Sequence, residues 1–75
     1  MIQRKLITRD REILGGIPVF TGTRVPVKTL FDYLAHGHPL DEFLDDFPTV
    51  KREDALAVLE LMKEKLLEQA YESVA

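Results

Sequence analysis

Seventy-five residues, 45% of them hydrophobic and 31% charged, suffice for one small domain and are too evenly mixed for a disordered or low-complexity chain. The absence of cysteine excludes a disulfide framework and any thiolate zinc site, and no apolar run is long enough to span a bilayer. The formal charge of −3 hides a division, for Met1 to His38 carries six Lys or Arg against three acids and Pro39 to Ala75 carries four against ten.

The chain opens with a mixed apolar and charged stretch in which Leu6-Ile7-Thr8 is the one convincing strand. Ile2, Leu6 and Ile13 are expected to cover the helices or to pair with a second chain. Arg4, Lys5, Arg9 and Arg11 form a basic arm, a composition that serves equally as a phosphate-binding element and as a solubilising tail. Next comes a hook rich in glycine and proline: Gly15, Gly16, Pro18, Gly22, Thr23 and Pro26. Gly15 and Gly16 permit positive φ, and Thr21-Gly22 supplies the tight reversal that joins two extended runs, Pro18 to Phe20 and Thr23 to Val25. Pro26 suits the first position of a helix, so Arg24 stands at a loop-to-helix junction where a fixed positive charge can meet an anion.

A first helix is predicted from Pro26 or Val27 to about His36, with Val27, Leu30, Phe31, Leu34 and Ala35 as its core face and Gly37 as its left-handed end. His36 and His38 flank that glycine as capping or surface residues rather than metal ligands, because the chain reversal turns the rings apart. A second, short helix runs from about Leu40 to Asp46, where Pro48 stops the chain; Asp41, Glu42, Asp45 and Asp46 make a solvated acidic face. The third helix, from about Lys51 to Tyr71, is apolar over a wide arc. Ala55, Leu59, Met62 and Leu66 line up as one seam and Val58, Leu61, Leu67 and Ala70 flank it, more than the shorter helices can cover beyond Met62. A core of this size supplies only about 3–5 kcal/mol of net stability, so a homodimer or larger assembly is expected, with Leu61, Leu67, Ala70 and Tyr71 as contact residues.

Gly16-x-Pro18-Val19-x-x-Gly22-Thr23-Arg24-Val25-Pro26-Val27, then a helix ending in Gly37 and Asp46-Phe47-Pro48, resembles the signature of the domain-of-unknown-function family 433 from about Ile7 to about Leu61. The resemblance implies a mainly α fold: a three-helix, homeodomain-like (helix-turn-helix) core over residues 27–75, with an N-terminal strand or hairpin arm and the hook over residues 1–26, in one domain. Pro39 and Lys51 stand where family members usually carry a helix-capping side chain, which blurs the starts of the second and third helices. Many members of the family are taken to be antitoxins, encoded beside a PIN-like ribonuclease toxin.

With no cysteine nucleophile, no His beside a motif-placed Ser and no phosphate loop, the chain is expected not to be an enzyme and to need no cofactor. The function that the resemblance implies is that of a cytoplasmic antitoxin-like protein that neutralises a PIN-like ribonuclease and binds operator DNA. The alternatives are a stand-alone transcriptional regulator and a structural protein-interaction module. DNA contacts are expected from Arg4, Lys5, Arg9, Arg11, Arg24 and Lys28, not from Lys51 and Arg52, which share the start of the third helix with Glu53 and Asp54. Arg24 has two readings: a guanidinium delivered to the carboxylates of the nuclease, or a brace paired with Asp32 or an acid of the second helix.

Overall fold

The computed structural model describes residues 5–72, and in it Ile7 and Thr8 form strand β1, antiparallel to β2 at Val19–Phe20. The register is Ile7 against Phe20 and Thr8 against Val19, extended by a bond from Thr21 N–H to the Leu6 carbonyl at 3.0 Å. The predicted strand at Leu6-Ile7-Thr8 thus finds its partner within the chain, and Leu6 and Ile7 pack against the core. Ile2 and Arg4 lie outside the described residues. Between the strands the chain makes a 3₁₀ turn at Leu14–Gly16, where Leu14, Gly15 and Gly16 all have positive φ.

Past β2 the hook folds as its composition suggests. Thr23 N–H returns to the Phe20 carbonyl at 3.0 Å and Gly22 has φ +81°, a type II arrangement in which the third residue must be left-handed. The returning arm then binds the far side of β2, with Phe20 N–H on the Val25 carbonyl and Val27 N–H on that of Pro18, both at 3.0 Å. The reversal agrees with the sequence reading, but the ladder is shared: β2 lies between β1 and the 25–27 segment. Both residues of β2 are buried, and Phe20 belongs to the hydrophobic core.

Helix α1 spans Val27–Ala35, α2 Leu40–Asp46 and α3 Arg52–Glu72, each end within a residue of the sequence expectation. Pro26 takes the N-cap position of α1 in extended conformation rather than its first turn, because its ψ of 137° serves the bridge to Val19. The mainly α, three-helix fold with an N-terminal hairpin is therefore the one the sequence implies. Phe20, Val25, Val27, Leu30, Phe43, Val50, Ala55 and Val58 make the core, with Phe31, Leu34, Leu59 and Met62 partly buried against it. Ala35, expected on the core face, is exposed, because α1 ends there and turns away at Gly37.

Gly37 closes α1 with φ +84°, its N–H on the Leu34 carbonyl at 3.1 Å and the next N–H, of His38, on that of Tyr33 at 2.9 Å. No atom lies within 4 Å of where a Cβ would stand, so Gly37→Ala is a test of backbone strain alone. We expect it to lower the unfolding free energy by about 1 kcal/mol, read from the denaturant midpoint at unchanged slope. A midpoint equal to the parent's would mean that the reversal does not depend on the left-handed residue.

Candidate functional site

The hook is built so that its tip is rigid and its charges are outward. Thr23 Oγ1 donates to the Phe20 carbonyl at 2.8 Å and accepts the Val25 N–H at 3.0 Å, so one hydroxyl ties both ends of the turn. Thr21 is joined to Thr8 of β1 by a hydroxyl-to-hydroxyl bond of 2.7 Å. Arg24 sits between these fixed points, exposed, with no ion-pair partner among the described residues. Of the acids expected to pair with it, Asp32 takes Lys28 at 2.6 Å, Asp41 is paired with Arg52, Glu42 with His38 at 2.8 Å, and Asp46 accepts the Tyr33 hydroxyl at 2.7 Å, while Asp45 is exposed and makes no ion pair with Arg24. The bracing reading of Arg24 is therefore corrected, since turn hydrogen bonds do that work.

Two adjoining clefts of about 510 and 380 Å³ meet at this tip and share Gly22, Thr23 and Thr49. Arg24 and Thr8 line the larger, over a floor of Ile13, Val19 and Val25. Lys5, Lys51 and Asp54 line the smaller. The structure thus brings together Lys5, Arg24 and a cation the sequence reading set aside, Lys51. Nothing in its local spacing marks Lys51, because the loop from Phe47 to Val50 carries it to the hook only in three dimensions. The remaining arm residues differ: Arg9 Nε donates to the Gly16 carbonyl at 2.9 Å and so braces the 3₁₀ turn, Arg11 is exposed, and Lys28 is held by Asp32.

The acidic face of α2 is exposed at Asp41, Glu42, Asp45 and Asp46. Beside it, the hydrogen bond from Tyr33 to Asp46 raises the phenol above its usual pKa, with burial and the negative charge of Asp46 and Glu42 adding to the effect. His36 Nδ1 contacts the Asp32 carbonyl at 2.7 Å and His38 Nδ1 meets Glu42 at 2.8 Å, and both histidines line one cleft with Tyr33 and Asp46. Among the described residues no three His, Asp or Glu are grouped to hold a metal ion, and no helix is long and apolar enough to cross a membrane.

The second candidate surface is the far half of α3. Leu66, Leu67, Ala70 and Tyr71 are exposed on adjoining positions of its last turns, Leu66 by 66% and Tyr71 by 74%. Leu61 is partly covered, which places it at the margin of that patch rather than inside it.

Residues 7–61 match the family model described as Protein of unknown function (DUF433). A protein of Sinorhizobium fredii (strain NBRC 101917 / NGR234), named Uncharacterized protein y4eO, is 40% identical over 50 residues, which are 67% of this chain. The chain spans 23% of that relative's length. No solved structure matches the chain. Because the match takes in β1, the whole hook, α1, α2 and the buried half of α3, the chain belongs to the DUF433 family.

Proposed function

We propose that this protein is a cytoplasmic, non-enzymatic, antitoxin-like inhibitor that uses the hook to block a PIN-like ribonuclease. The observation that carries the reading is Arg24, an exposed guanidinium without an ion pair among the described residues, on a turn whose backbone is hydrogen-bonded on both sides. A nuclease of that class gathers carboxylates around a divalent cation. A guanidinium inserted there forms bidentate, charge-assisted bonds to the carboxylates and competes with the metal, and the rigid turn lowers the entropy cost of placing it.

Arg24→Ala tests this directly. The side chain is exposed, so the variant should melt at the parent temperature. Its inhibition of the nuclease should weaken by at least about thirtyfold, the consequence of losing about 2–5 kcal/mol from a desolvated charge pair. A folded Arg24→Ala protein that inhibits like the parent would remove the hook from the mechanism.

A DNA-binding role beside this one draws support from the three cations, Lys5, Arg24 and Lys51, around the shared clefts. Each residue that contacts a phosphate should contribute about one unit to the log–log salt slope of operator binding. Lys5→Gln and Lys51→Gln are expected to flatten the slope and Lys28→Gln to leave it nearly unchanged, because Asp32 already neutralises Lys28. The reverse ranking would sink this arrangement.

A further inference from the structure

Strand β2 has neighbours on both sides, β1 on one and the 25–27 segment on the other. β1 has only one, among the described residues. The register identifies the groups left over. Thr21 N–H donates to the Leu6 carbonyl, and Phe20 sends its N–H away from β1 to Val25. Leu6 and Thr8 therefore turn their backbone groups toward β2, and Ile7 with Phe20 is the non-hydrogen-bonded pair of the ladder. The N–H and C=O of Ile7 point outward as an unused edge, entered at Lys5 and left at Arg9, both exposed.

The charges at that edge choose its occupant. Lys5 has no ion-pair partner among the described residues. Arg9 gives Nε to a carbonyl, which leaves its charge unneutralised, and Asp10 turns its carboxylate back onto the Glu12 N–H at 2.9 Å. If two copies of β1 paired antiparallel about a two-fold axis at Ile7, Lys5 of each would lie opposite Arg9 of the other, and like charges directly opposite oppose pairing. An acidic strand meets the same two positions with attraction. We propose that the outer edge of β1 takes an extended acidic peptide segment of another protein as an added strand, held by the Ile7 backbone and selected by Lys5 and Arg9. The proposal makes no use of Arg24 and does not depend on the inhibitor reading, although Lys5 also lines the smaller cleft at the hook.

The probe is a blocked peptide alternating Glu and Val, set against one alternating Lys and Val, added to the full nitrogen-15-labelled chain. The Glu-Val peptide should shift the Ile7 amide, slow its hydrogen exchange, and bind at least about tenfold tighter than the Lys-Val peptide. Lys5→Glu should bring the two peptides to comparable affinity or reverse their order, and Lys5→Gln should fall between. Both variants change an exposed side chain, and an unchanged melting temperature would confirm their fold. Equal affinity of the two peptides for the parent, binding of neither, binding that leaves Ile7 unperturbed, or a symmetric β1–β1 contact in the unliganded protein would each overturn the proposal.

Discussion

Phe43→Ala is expected to leave the protein largely unfolded at room temperature. The ring is fully buried and lies 6.1 Å from the ring of Phe20, 5.4 Å from that of Tyr33 and 5.2 Å from that of Phe47, measured between centroids. It therefore joins β2, α1 and the end of α2 in one contact. Truncating such a residue costs about 3–5 kcal/mol in lost transfer energy and cavity formation. A core of this size supplies about the same amount in total. Thermal unfolding followed by circular dichroism should lose its cooperative transition, whereas Phe47→Ala, at a half-buried site, should keep one at lower temperature. If Phe43→Ala melted within a few degrees of the parent, the aromatic cluster would not be the centre of the fold.

The second large effect is expected in assembly. Helix α3 has 21 residues against nine in α1 and seven in α2, so at a rise of about 1.5 Å per residue it is more than twice as long as either. Its buried contacts are at Ala55 and Val58, with Leu59 and Met62 partly covered. The turns that follow carry Leu66, Leu67, Ala70 and Tyr71 into solvent. We expect that patch to mediate self-association. The double variant Leu66→Glu, Leu67→Glu should raise the dimer dissociation constant by at least about a hundredfold, since burial of two leucines is worth about 3 kcal/mol or more. Sedimentation velocity would read the change. Because both side chains are exposed in the single chain, the variant should keep its helical content. A parent protein that stays monomeric well above micromolar concentration, or a double variant that sediments like the parent, would rule this surface out.

The two effects separate the molecule into parts with different tolerances. Substitutions around Phe43 act on folding itself, whereas those at Leu66, Leu67 and Arg24 should spare the fold and alter what it binds. A series that mixes them can therefore be sorted by melting temperature before any binding measurement is made.

The features readable from the residues alone are local. Positive φ at Gly15, Gly16 and Gly37, the reversal at Thr21-Gly22, the proline before α1 and the apolar spacing of all three helices were legible because each depends on residues a few positions apart. The end of α2 was legible because Pro48 stops it and Leu40, Phe43, Leu44 and Phe47 recur at helical spacing, while Pro39, which offers no capping side chain, left its start less sharply marked. The excess apolar surface of α3 was also readable, as an arc too wide for shorter neighbours. Pairing was settled by packing in three dimensions. Whether β1 met β2 or another chain, whether Asp32 would neutralise Lys28 or Arg24, and whether Lys51 belonged to the hook or to α3 all depend on groups distant in sequence whose rivals have the same chemistry. Charge and hydrogen-bonding capacity name the possible partners, and packing of the Phe20 and Phe43 core brings one of each set within reach.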